Sequence, residues 1–184
     1  MDDLLLLLEQ THKNARLGFI QCLDRSQYVF FVFNILSHYC SSSPRVTSGV
    51  IAGKRNYGLQ FLTRLMPCLT ELHSLFYPNG VKIVPLNIYG LLTPIALAHL
   101  IMGDGSAARH GLVICTNSYS VQDVVRLINV LIIRHRLDCK IREKRQNNKI
   151  EHMIYIRQRS MSLLRIIVTP YFHSSMLYKL GKKL

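Results

Sequence analysis

An aspartate stands between two glycines at the end of an apolar run, "LTPIALAHLIMGDGSA", residues 91–106. Thr93 suits a helix N-cap and Pro94 a first helical position, so the spacing predicts a helix from Ile95 to about Met102. That helix is apolar nearly all round, as a fully buried helix should be. A carboxylate at its C-terminal end is disfavoured by the helix dipole, and a hard cation would offset that cost. Mg²⁺ is such a cation: it typically takes one or two protein carboxylates and completes its shell with phosphate oxygens and water. The bland alternative is that Gly103-Asp104-Gly105 is simply a turn, since Asp-Gly is a common turn pair.

Other chemistry finds little support. No Ser/His/Asp or Cys/His arrangement stands out, and there is no phosphate-loop motif. The five cysteines, Cys22, Cys40, Cys68, Cys115 and Cys139, lie far apart, with no C-x-x-C and no zinc spacing. They read as reduced core thiols, which implies a reducing interior. His38, His73, His99, His135 and His173 fall in helical segments, where a lone histidine is more often structural than a ligand.

The elements that must hold Asp104 come from a chain of 184 residues, long enough for one domain or for two small halves sharing a core. It is 49% hydrophobic, which argues against disorder. Its formal net charge of +13 points to a polyanion, either nucleic acid or an anionic membrane. The N-terminal "MDDLLLLLEQ" lacks the positive start of a signal peptide, and no segment has the length of a membrane span. The expectation is a soluble protein without a visible targeting segment.

The pattern of elements repeats. "ARLGFIQ" (15–21) reads as a strand, followed by a helix in "DRSQYVFFVFNILSHYC" with Asp24 and Gln27 as a capping box. Strands are expected around 45–55 and 57–65, then a short helix beginning at Pro67. In the second half "HGLVICTNS" (110–118) is the strand. The helix "SVQDVVRLINVLIIRHRL" has Ser120 as its cap and Val121, Val124, Val125, Ile128, Leu131 and Ile132 as its apolar face. "DCKIREKR" and "EHMIYIRQR" form a hairpin, and "SMSLLRIIVTPYF" closes the chain as a helix. The halves superpose at an offset of roughly 93–94 residues, with Gly18 on Gly111, Phe61 on Tyr155 and Leu72 on Ile166. This suggests an internal pseudo-dimer, divided into residues 1–90 and 91–184.

Period-2 alternation places Lys140, Arg142 and Lys144 on one strand face, and Tyr155, Arg157 and Arg159 on the corresponding face of the next strand. Arginine can read guanine in the major groove, and lysine can hold phosphates. A plain solvated sheet face is the alternative. In the first half Arg45, Lys54, Arg55 and Arg64 are the counterparts, with Gln60 and Thr63 as polar readers.

"LAHLIMGDG" (97–105) resembles the nine-residue signature of the LAGLIDADG homing endonucleases. Leu97, Ala98, Leu100, Ile101, Asp104 and Gly105 match it, Gly103 is a small-for-small replacement, and His99 and Met102 depart from it. The wider context, together with "KNARLGF", "FNILSHYCSS" and "FYPNGVKI", is similar to the branch found in organellar introns, and the resemblance runs from Lys13 onward. It implies an α+β, pseudo-two-fold fold, αββαββα per half, with two antiparallel sheets forming a saddle over double-stranded DNA. It also implies Mg²⁺-dependent site-specific cleavage, with Asp104 and Gly103 at the metal. Lys82 in "NGVKI" corresponds to a basic residue that assists phosphate chemistry in the family.

The family pairs two such acids. Here the first half offers no Gly-Asp-Gly, and Glu9, behind the apolar run Leu4–Leu8, is the nearest candidate partner. Asp2 and Asp3 precede the run and would stand at the wrong end of a helix built from it. The first motif helix therefore reads as truncated or degenerate. The competing readings are a cleavage-deficient nucleic-acid binder, such as a maturase-like binder of intron RNA or a decayed remnant, and a basic structural protein. The resemblance also implies a mitochondrial origin, more than a chloroplast one, and a monomer with no membrane partner.

Overall fold

The computed structural model describes residues 4–8, 14–51, 53–146 and 149–181. The chain divides into two compact units, Met1–Leu75 and Phe76–Leu184. Residues 76–90 group with the second unit in this division.

The first unit is built on a four-stranded antiparallel sheet in the order β1-β2-β4-β3. Its strands are β1 (Leu4–Leu8), β2 (Ala15–Cys22), β3 (Arg45–Ile51) and β4 (Lys54–Leu62), with α1 (Ser26–Leu36) and α2 (Pro67–Phe76) as its helices. Phe19, Leu59 and Phe61 point to one face of the sheet and are buried with Tyr28, Val29 and Val32 of α1. The Phe19 ring lies 5.6 Å from both Tyr28 and Phe61, an aromatic cluster that joins sheet to helix. Gly53, at φ 76°, makes the β3–β4 turn that a side chain would strain. Two differences from the sequence pattern stand out. The run Leu4–Leu8 is a strand paired to β2, with Leu5 opposite Gly18, and not a helical turn. A short 3₁₀ turn, Leu23–Arg25, leads into α1, whose N-cap is Arg25 with no side-chain bond, so Asp24 forms no capping box.

The second unit repeats the sheet order as β5-β6-β8-β7. It runs α3 (Ile88–Leu91), α4 (Pro94–Asp104), β5 (Gly105–Ala108), β6 (Gly111–Cys115), α5 (Val121–Ile133), β7 (Cys139–Gln146), β8 (Lys149–Arg157) and α6 (Met161–Val168). Leu112, Ile114, Ile154 and Ile156 form the fully buried sheet face. Helix α4 packs on β5, β6 and α6, burying Leu97, Ala98, Ile101 and Met102, while Ile95 is half exposed. The expected all-round burial of α4 is thus confined to one side. On α5 the Ser120 hydroxyl accepts from Asp123 N–H, as its cap position requires. The buried face of α5 is Val124, Leu127, Ile128, Val130 and Leu131; Val121, Val125 and Ile132 are exposed, because the apolar stripe is wider than the face that the sheet covers.

Matching buried face to buried face fixes the repeat. Gly18 stands opposite Leu62, and Gly111 opposite Arg157. β2 therefore repeats in β6 at an offset of 93 residues, and β4 in β8 at 95. Phe61 corresponds to Ile156, not Tyr155, and the outward position of Tyr155 is taken by Gln60 in the first unit.

Candidate metal acid and nucleic-acid interface

Asp104 is the last residue of α4, and Gly105 opens β5 with no loop between them. Gly103-Asp104-Gly105 is therefore not a free turn. The helix begins on Thr93, whose hydroxyl accepts from Ala96 N–H at 3.3 Å. It ends with Gly105 N–H bonded to Ile101 O, and a Cβ on residue 105 would lie 2.5 Å from that oxygen. Only glycine lets helix pass into strand so abruptly, and this holds the Asp104 carboxylate at a fixed point, half-buried.

The cost of an acid at a helix C-terminus meets an unforeseen answer. Lys179, 4% exposed, donates its ammonium to Met102 O at 2.5 Å and to Gly103 O at 2.6 Å. Two carbonyls that the last helical turn leaves without partners are satisfied by a cation, which also opposes the negative end of the dipole. The signal in the sequence was a lysine in "SMLYKL" with apolar neighbours on either side. Among the described residues no three His, Cys, Asp or Glu side chains gather to hold a metal ion. The donors at the end of α4 are one carboxylate and backbone carbonyls, an all-oxygen set that suits a hard divalent cation completed by phosphate and water. One lone pair of Gly103 O is already engaged by Lys179.

The basic face of the second sheet is real but smaller than expected. Lys140 and Arg142 on β7 share a face with Tyr155 and Arg157 on β8, opposite the buried isoleucines. Lys144 continues it, with Glu151 directly across. The Arg142 guanidinium lies 4.2 Å from the Tyr155 ring centroid, and Lys140 Nζ 5.6 Å from it. Arg159 does not belong to this strand face: β8 ends at Arg157, and Arg159 sits in the 3₁₀ turn Gln158–Ser160. Both arginines are paired to Asp138, Arg157 Nε at 3.4 Å and Arg159 through its own Nε.

In the first unit, Arg45 lies opposite Gln60, and Lys54 shares their outward face. Arg55 alternates to the other face with Tyr57, and Arg64 follows β4, its guanidinium bonded to His38 O. Thr63 is buried, donating its hydroxyl to Arg64 O at 3.0 Å and accepting from Leu17 N–H, so it reads nothing outward. The outward set is thus Arg45, Lys54 and Gln60.

Lys82 is half-buried, with Nζ 4.9 Å from the Tyr119 ring centroid just before α5. Its segment is pinned by the buried Asp123, which accepts from Val84 N–H at 3.2 Å and from Arg126 Nη1 at 2.7 Å. Glu9 lies outside the described residues. Of the five cysteines only Cys139 is buried; burial, with the Asp138 carboxylate nearby, pushes its thiol up to about 12. Cys22, Cys68 and Cys115 are exposed, contrary to their reading as core thiols. The α4 histidine, His99, is held below the ordinary imidazole value by burial. No helix among the described residues is long and apolar enough to cross a membrane.

The model of the LAGLIDADG DNA endonuclease family matches residues 3–164. The chain belongs to this family. Intron-encoded endonuclease ai4 of Dictyostelium discoideum is 36% identical over 125 residues, covering 67% of this chain and 77% of that protein. The cytochrome b mRNA maturase bI2 of Debaryomyces hansenii is 28% identical over 173 residues, 92% of this chain. This chain spans 65% of that maturase, less than two thirds of its length. Among solved structures, the homing endonuclease I-WcaI bound to its DNA recognition sequence superposes with a TM-score of 0.88 at 24% identity, over 100% of this chain and 82% of that one. That likeness confirms the α+β LAGLIDADG fold, with its two antiparallel sheets.

Proposed function

We propose that this protein is a site-specific double-stranded DNA endonuclease of the intron-encoded type, with Asp104 as a metal-binding acid. The observation that carries the reading is a carboxylate fixed at the end of a buried helix, in a chain whose outward sheet faces carry Arg45, Lys54, Lys140, Arg142 and Lys144. In this reading the outward face of each sheet meets the duplex. Asp104, with the Gly103 carbonyl, would hold a divalent cation, Mg²⁺ being the physiological choice. Such a cation supplies charge neutralisation at a phosphate and a more acidic bound water. The basic side chains bind phosphates and orient the duplex, and Gln60 and Arg142 contact base edges. Lys82 is assigned an auxiliary electrostatic role at the phosphates.

The strand register bears on the second acid. Gly105 pairs with Ile114, and Leu4 pairs with Phe19. With β2 and β6 aligned, Leu4 matches Ala107, and counting back three residues sets Met1, beside Asp2 and Asp3, level with Asp104. This supports Asp2 or Asp3, the acids nearest that position in the sequence, as the second acid, with Glu9 as the alternative.

The test is Asp104→Asn. Cleavage of the target duplex is expected to vanish while affinity, measured in Ca²⁺, is retained; persistent cleavage removes Asp104 from the site. Replacing Asp2 and Asp3 together should lower cleavage more than Glu9→Gln does. The maturase relative favours a second reading, a binder of intron RNA, and tighter binding of the host intron transcript than of any duplex would support it. A mitochondrial location is proposed on the same relatives, and organelle fractionation tests it.

A further inference from the structure

Tyr155 occupies an unusual place. It sits on the outward, basic face of the second sheet yet is only 8% exposed. Its hydroxyl donates to His110 O at 2.7 Å. Its ring lies against Gly111, where a Cβ would come within 3.2 Å of both Tyr155 Cζ and its hydroxyl oxygen, and 2.2 Å from Ile156 O. The ring is thus seated on a backbone stripped of side chain and tied at its far end. Two cations lie over it: Lys140, directly across the ladder, and Arg142, one diagonal step along.

We infer that Tyr155 is a positioning residue that orients the Arg142 guanidinium for base-specific reading of DNA. The inference rests on the proposed DNA-binding reading of this face. A surface arginine loses side-chain rotamer entropy when it is fixed on a base. A planar guanidinium held over an aromatic ring has fewer orientations left to lose, and bidentate recognition of guanine O6 and N7 depends on that plane. An ammonium presents a point charge whatever its orientation, so Lys140 gains little directionality from the same ring. At the position of Tyr155 the first unit carries Gln60, which lies opposite Arg45.

The experiment selects the full chain against a pool of randomised duplexes in Ca²⁺ and sequences the bound fraction. Arg142→Ala identifies the base positions that Arg142 reads. Tyr155→Leu is expected to reduce preference at those same positions by about tenfold or more, leaving the other positions and the salt dependence of binding unchanged. Tyr155→Phe, which keeps the ring but not the bond to His110, should fall between. Should Tyr155→Leu melt below the binding temperature, Tyr155→Gln removes the ring with the residue found at the counterpart position. Intact preference in these variants overturns the inference, and so does a loss spread evenly over the site, which would mark a merely structural role. Failure of the wild-type chain to bind duplexes overturns the underlying reading as well.

Discussion

Removing the cation at the end of α4 is the sharpest test of how this fold holds its acid. In Lys179→Met the chain keeps a similar length and apolar character but loses the ammonium. The wild-type ammonium donates to Met102 O and to Gly103 O. A hydrogen bond to a charged group contributes about 1.5–3 kcal/mol, and the dipole adds about 0.3–1 kcal/mol. Desolvating a buried ammonium costs several kcal/mol and offsets part of this, so the expected net loss is about 2–3 kcal/mol. For a unit the size of Phe76–Leu184, each kcal/mol shifts the melting temperature by about 4 °C. A thermal melt followed by circular dichroism should therefore show a drop of about 8–12 °C, again at about 4 °C per kcal/mol. Lys179→Arg, which keeps the charge, should lose less. A shift under about 2 °C, well below one kcal/mol, would refute the reasoning, because the two carbonyls would then be as well satisfied without Lys179.

Other expectations follow from the same geometry. His99 and His135 are both held below the ordinary imidazole value of 6.5 by burial; at His135 the bond to Leu92 O works against the shift and Arg134 works with it. The fold therefore prefers neutral rings. Their contribution to stability is complete above pH 6.5 and is lost as pH falls through the lowered folded values. Melting temperature should be level above about pH 7 and decline below 6.5; a rise on acidification would reverse the sign. Lys140→Ala should weaken duplex binding and reduce the salt slope by about one, whereas Arg159→Ala, whose charge is shared with Asp138, should change it less; equal effects in salt titrations would contradict the pairing.

The parts of this fold visible in the sequence are those set by local pattern. Ser120 and Thr93 announced their helices because a hydroxyl before an apolar stripe has one obvious use. The β7 face followed from strict alternation of Lys140, Ile141 and Arg142. The failures share a different cause. Five leucines carry no periodicity, so Leu4–Leu8 could not be told from a helical turn until its pairing with β2 was known. Arg159 continued the alternation on paper but lies beyond the end of its strand. Lys179 and Tyr155 depend on partners 76 and 45 residues away, and no local pattern records such distances. At the candidate site the acid was legible and its support was not.

The bond from Lys179 to Gly103 also orders events in time. A ribosome delivers α4 and both strands of the β7–β8 hairpin well before residue 179 leaves the exit tunnel. Until then the helix carrying Asp104 has its N-cap but lacks the cation at its other end. The nascent chain can thus complete the second sheet beside an acid that is not yet held, and the cation at that end arrives only after both strands of the hairpin.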